Sequence, residues 1–271
     1  MNLNLRDILR FQITIQTVKD QWKTTLILAI LFGSMAAMYA GIYPSFKDTL
    51  PDIIGDFGDS FGWLTGVEDT ASFIGFLNLE MYQIFWTLIL GMIIGFLAAS
   101  IISKEIESKT IDILMSNPVS RVQIIIEKFL GLIPGILVIN FFTMLVVMVM
   151  SIIIGEEVNF YYIFLTHLVS IPYFLSIISI AIFISTLIDE KMKSSIIMMS
   201  LVVGLYIFES IAKMIPDLKS LGYISLTHYF VPYDVLKKGS IDAVGTGVLL
   251  LVTLAGLMLA IFYFDRKEIK V

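Results

Sequence analysis

Six apolar runs, each long enough to cross a bilayer as a helix, dominate this chain, at 24–43, 81–102, 129–154, 160–188, 195–215 and 244–264. A hydrocarbon core about 30 Å thick needs roughly 20 helical residues to span it. Inside that core every backbone N–H and C=O must find its partner within the helix. The runs therefore predict an all-α integral membrane protein with six transmembrane helices. Pro134 and Pro172 fall within the third and fourth runs, where neighbouring helices can cover the carbonyls they free. Composition agrees: 58% of the 271 residues are hydrophobic and only 15% are charged, against about 25% charged in soluble domains.

Lysine and arginine outside the runs predict the orientation. Thirteen of them fall at the N-terminus, between runs two and three, between runs four and five, and at the C-terminus; the remaining connections hold five. Both termini are expected in the cytoplasm. The first 23 residues carry Arg6, Asp7, Arg10, Lys19, Asp20 and Lys23 with no compact apolar core, so they do not read as a cleavable signal and are expected to stay. The connection at 44–80 is acidic and rich in Gly and Phe, a folded or partly helical loop. No connection is long enough for a separate soluble domain, so 1–271 is expected to be one membrane domain.

Several chemistries are excluded. The chain has no cysteine, which removes disulfides, thiolate nucleophiles and Cys-ligated metals. Its two histidines, His167 and His228, are far apart in sequence, so no metal site is expected. A net charge of −5 speaks against nucleic acid as a partner. Fourteen methionines are scattered through the runs, as apolar filler is, and are not spaced as copper ligands. Ser, Asp and Glu do not cluster within the runs as an intramembrane enzyme would require. There is no G-x-x-x-x-G-K-[ST] phosphate loop, so the chain cannot cradle ATP by that motif and is not expected to be an enzyme by itself.

Before the first run, Phe11, Ile15, Val18 and Trp22 share one helical face and Arg10, Lys19 and Lys23 lie largely off it. Residues 1–23 are expected to form an amphipathic helix along the membrane surface, or a plain lead into the first span. The segment 103–128 is the most informative. It begins charged, turns apolar at Ile106, Ile111, Ile113, Leu114 and Met115, and stops at Asn117-Pro118, because proline disfavours helix at the residue before it. A short helix with an apolar patch and a charged rim usually awaits a partner; the alternative is a solvated connection that binds nothing.

The pattern Glu105, Glu107, Lys109, Thr110, Leu114, Pro118, Ser120, Arg121 and Lys128 resembles the cytoplasmic coupling segment of type-2 ABC exporter permeases. The surface helix before the first span, the stretch Leu226-Thr227-His228-Tyr229-Phe230-Val231-Pro232-Tyr233 and the terminal Phe264-Asp265-Arg266-Lys267 are similar to family features. One departure is the usual Ser-Pro before the aromatic pair, which reads Leu226-Thr227 here. The resemblance implies the permease half of an ABC exporter: a homodimer in the cell membrane, docked on two copies of a separate cytoplasmic ABC ATPase. No cofactor would bind this chain directly; ATP and Mg would sit on the partner. Glu105, Glu107, Lys109, Thr110, Ile113, Leu114, Pro118 and Arg121 would form the docking segment. Antimicrobial or cytolytic peptides, phenol-soluble modulins among them, are the first cargo expected, with hydrophobic drugs, lipids and ions next and a passive channel as the reading outside the family.

Glu209 is the only carboxylate well inside a run. It either lines a wet translocation path or pairs with Lys213 four residues on, and both readings require water nearby. Asn140 is grouped with Glu209 and Lys213 as a vestibule residue, though like His167 it could serve as an interhelical hydrogen-bond partner. Tyr223, His228, Tyr229, Phe230 and Tyr233 fall in the extracellular stretch 216–243, as short re-entrant helices closing an outer gate or as an aromatic belt. Gly33, Ala37 and Gly41 in the first run, and Gly91 and Gly95 in the second, have helix-packing spacing. Family resemblance assigns the first set to the homodimer interface.

Overall fold

The computed structural model describes residues 11–49, 69, 71–111 and 119–268. Among them every regular element is a helix. Six helices are long and apolar enough to cross a membrane: α1 (Gln12–Phe46), α2 (Phe73–Glu107), α3 (Arg121–Ile154), α4 (Phe160–Leu187), α5 (Lys191–Met214) and α7 (Ala243–Arg266). Short helices follow the fifth span: two 3-10 segments, Pro216–Ile224 and Leu226–Tyr229, and then α6 (Pro232–Lys238). The chain is thus a multi-pass membrane protein. Local chemistry sets the helix starts: Ser120 Oγ accepts from Gln123 N, Asn159 Oδ1 from Tyr161 N and Asp242 Oδ1 from Gly245 N. Gly155 and Gly239 end α3 and α6 in the left-handed conformation that glycine adopts freely.

The surface helix expected over 1–23 is not a separate element among the described residues. Residues 12–23 run unbroken into the first span, and residues 1–10 lie outside the description. The expected apolar face is the exposed one: Phe11, Ile15 and Trp22 are each about half exposed, whereas Ile13 and Thr17 are buried. The physical reason is the third span. A Cβ built on Gly131 would lie 2.6 Å from the Thr17 side chain and 3.1 Å from the Thr14 carbonyl, so the two helices meet at backbone distance.

The spans pack chiefly as α1 on α3, α7 on α4, and α2 between α4 and α5. Lipid tails are as apolar as leucine, so close packing and hydroxyl bonds hold the helices together. Ser194 Oγ donates to Ala99 O (2.7 Å), Ser195 Oγ to Phe96 O (2.9 Å), and Ser185 Oγ accepts from Ile102 N and Ser103 N (3.0 and 2.9 Å). Trp86 fills the centre, edge-on to Phe32 and Phe174. The first half of α2, Asn78–Leu90, is wound as a π-helix. There Thr87 Oγ1 donates to Tyr82 O and Thr87 O accepts from the Tyr173 hydroxyl. Widened turns of this kind are rare and free carbonyls for other partners.

The starts of α1, α3 and α5 and the ends of α2, α4 and α7 gather at one face, below called the terminal face because both described chain ends lie there. Glu127 at the start of α3 meets Ile13, Glu107 meets Lys191, Arg121 meets Phe264, and Lys267 meets Thr186.

Candidate functional site

On the terminal face, α2 ends in a Schellman turn. Thr110 N donates to Glu105 O and Lys109 N to Ile106 O, with Lys109 at φ +56° in the position that usually holds glycine. Ser108 and Thr110 hydroxyls lie 2.9 Å apart on the exposed rim. Glu105 forms an ion pair with the largely buried Lys128, so the two ends of the 103–128 segment are locked to each other. Glu107 Oε2 accepts from Lys191 N (2.8 Å) at the start of α5. Of the residues the sequence assigns to docking, Glu105, Glu107, Lys109, Thr110 and Arg121 frame this rim. Ile113, Leu114 and Pro118 lie outside the described residues. Arg121 turns toward α7: its Nη1 donates to Phe264 O (2.8 Å), Asp265 O (3.2 Å) and Lys267 O (2.7 Å).

Sequence reasoning missed Glu127. Its side chain has 0% exposure and uses both oxygens. Oε2 accepts from Ile13 N (2.9 Å) and Thr14 N (3.2 Å), and Oε1 from Gln123 Nε2 (2.7 Å). Thr14 Oγ1 also donates to the Glu127 carbonyl. The first N–H groups of a helix have no partner within it and carry partial positive charge. Glu127 supplies both hydrogen-bond acceptors and opposite charge from a neighbouring helix. In the sequence it reads as one more charge beside Lys128; the Gln123–Glu127 spacing of four is the only hint.

At the opposite face, Glu209 is buried on α5. Its Oε1 lies 3.6 Å from Lys213 Nζ and 3.1 Å from His228 Nδ1, and its Oε2 has no hydrogen-bond partner. The Lys213 pairing read from the sequence is present, and His228 joins it from the second 3-10 segment. His228 packs edge-on to Tyr223 and Tyr229, and the Tyr229 hydroxyl donates to Tyr223 O. Of the five expected gate residues, His228 thus meets Glu209 directly, Tyr223 and Tyr229 pack on His228, and Phe230 lines a small cavity beside Glu209. Phe230 also stacks on Tyr173 of α4, and Tyr233 donates to Asp69, which also pairs with Lys237. The cavity beside Glu209, about 30 Å³ in volume, is also lined by Thr87, Ser210 and Thr227 and has room for about one water.

Asn140 does not join this cluster. It is fully buried among α2, α3 and α4, where its Oδ1 lies 2.7 Å from His167 Nδ1 and its Nδ2 donates to Ser170 Oγ (2.8 Å). His167 Nε2 lies 2.9 Å from the Tyr82 hydroxyl. This closed chain joins three spans, the interhelical role that the sequence also allowed. Buried polar side chains need partners, and here the amide and the imidazole supply them to each other and to Ser170 and Tyr82. Gly33 and Gly41 likewise face α3 within the same chain, at Phe142 and Met150. Ala37 is half-buried between them. The apolar surface that α1 leaves exposed lies instead at Ile27, Ile30, Leu31 and Met38.

A cavity of about 380 Å³ opens between α1, α2 and α3, next to the Pro134 site and nearer the terminal face. Trp22, Leu28, Ala98, Leu132 and Ile139 are among its walls, and only a few polar side chains such as Gln21 and Thr25 interrupt them.

A family model described as ABC-2 family transporter protein matches residues 13–269, nearly the whole chain. Among curated proteins none matches.

Proposed function

The chain belongs to the ABC-2 family of transporter proteins, and we propose that it is the membrane permease of an ATP-driven exporter whose ATPase is a separate polypeptide. The terminal face is the cytoplasmic one in this reading, in keeping with the thirteen-to-five division of basic residues. The observation that carries the proposal is the frame around 103–128: Glu105–Lys128, Glu107–Lys191 and Arg121–Phe264 connect this one segment to α3, α5 and α7. A partner pressing there moves several spans together. ATP and Mg bind the partner, and hydrolysis occurs there; this chain contributes the path. Two permeases and two ATPases form the working unit in the cell membrane.

Amphipathic or cytolytic peptides are the proposed cargo. The apolar cavity among α1, α2 and α3 supports a substrate that partitions into the bilayer, and Glu209 with Lys213 and His228 offers polar groups at the far end. Lipids and hydrophobic drugs would suit the same apolar walls and are the competing cargo classes. The test is co-expression with a candidate ABC ATPase subunit, followed by co-purification and ATP-dependent uptake of a fluorescent amphipathic helical peptide into inverted vesicles. Removal of 112–118 is expected to abolish co-purification while membrane insertion persists. A permease that moves the peptide without any ATPase would overturn the reading.

A further inference from the structure

Arg121 lies in the stretch assigned to docking, yet its guanidinium faces inward. The last four carbonyls of a helix lack intrahelical partners and carry partial negative charge. At the end of α7, Arg121 Nη1 donates to the carbonyls of Phe264, Asp265 and Lys267, and the guanidinium carbon lies 5.7 Å from the centre of the Phe264 ring. One guanidinium nitrogen serves all three acceptors with its two N–H groups, and the planar, permanently charged group stays charged beside the Phe264 ring. The connection continues past α7. Lys267 Nζ donates to Thr186 O (2.6 Å) at the end of α4 and pairs with Asp189 (2.5 Å) in the turn to α5.

We propose that Arg121 is a positioning residue that transmits displacement of the 103–128 segment to the sixth span, and is not a contact to the ATPase. The inference rests on the docking role proposed for that segment. Arg121 is the first residue of α3 and follows directly on the docking stretch, so a push on that stretch reaches it through the chain itself, beside the path through the Glu105–Lys128 pair. The carbonyls of Phe264 and Asp265 on the last turn of α7, and of Lys267 just past it, then bear the load together, because one guanidinium nitrogen holds all three. Glu107 performs the matching task toward α5 through the Lys191 N–H.

The chain has no cysteine, so labels can be placed at will. Spin labels on Met258→Cys of α7 and Ile197→Cys of α5, both exposed positions, report the separation of these spans. The measurement uses the full permease–ATPase complex with and without ATP. The wild-type background is expected to show an ATP-dependent change in that distance. Arg121→Gln is expected to keep the ATPase through purification and keep hydrolysing ATP, but to lose the distance change; Arg121→Lys restores part of it. Lys267→Met spares the backbone carbonyls that Arg121 holds and is expected to retain the change, which keeps the test decisive if Arg121→Gln folds poorly. An unaltered distance change in Arg121→Gln, or loss of ATPase binding in Arg121→Gln with Lys267→Met unaffected, would overturn the proposal alone. A wild-type chain that retains no ATPase would overturn the docking reading and this one with it.

Discussion

Glu127 and Glu209 are both buried carboxylates on membrane helices, and they are held in opposite ways. Glu127 has its two oxygens bonded to backbone N–H groups of α1 and to Gln123, partners fixed by helix geometry. Glu209 has one oxygen shared between Lys213 and His228, two partly exposed side chains, and the other oxygen without a hydrogen-bond partner. Burying charge is costly unless fixed donors compensate it. Compensation is complete at Glu127 and partial at Glu209. The first arrangement joins helices; the second leaves a group whose partners can change as the spans move.

The sharpest way to break this contrast is Glu127→Leu. Hydrogen bonds to a charged group contribute about 1.5–3 kcal/mol each, so a loss of about 3 kcal/mol is expected in thermal unfolding in detergent, with earlier proteolysis before α1. A loss under about 1 kcal/mol would show that the carboxylate does not hold α1. Gly131→Leu attacks the same junction by bulk, since even a Cβ there meets Thr17; overpacking predicts a loss of about 2 kcal/mol. Asn140→Leu opens the buried chain between the two carboxylates. Interhelical hydrogen bonds in membranes average about 0.6 kcal/mol, so its two bonds predict a loss of about 1 kcal/mol. Glu209→Gln keeps an oxygen acceptor for its partners and removes an incompletely compensated buried charge, so it is expected to cost less than about 1 kcal/mol while lowering ATP-driven peptide transport. A stability loss equal to that of Glu127→Leu would erase the distinction.

The smallest expected effect has the opposite sign. Lys109 adopts a left-handed backbone that a side chain disfavours by about 1–2 kcal/mol, partly offset by the extra chain entropy glycine brings. Lys109→Gly should raise stability by about 0.5 kcal/mol. If transport falls in the same variant, the ammonium on the docking rim has a role of its own.

The spans were legible because length and apolarity alone determine them: the described helices match all six runs, five of them extended at one or both ends by up to about three turns and the fourth ending one residue early. The Glu209–Lys213 pair was legible because it lies within one helix. Groups joined across helices were not. Nothing in the order of residues sets Glu127 against the start of α1, Arg121 against the end of α7, or His228 against Glu209, since each depends on which helix ends meet in space. In residues 11–23 the apolar residues Phe11, Ile15 and Trp22 stay exposed, as on a lipid-facing stripe, while the small polar Thr17 packs inward; the inward face depends on the third span and so could not be read from this stretch alone.

The helix lengths divide the molecule. At a rise of about 1.5 Å per residue, α1 and α3 measure roughly 52 Å, α2 somewhat less because its π-wound part rises less per residue, and α4, α5 and α7 only about 36–42 Å. A rod much longer than the slab it pierces must lean or overhang, whereas a short one has little to spare. Thicker bilayers would straighten the first three rods while straining the last three, so the two groups would slide past each other as membrane thickness changes.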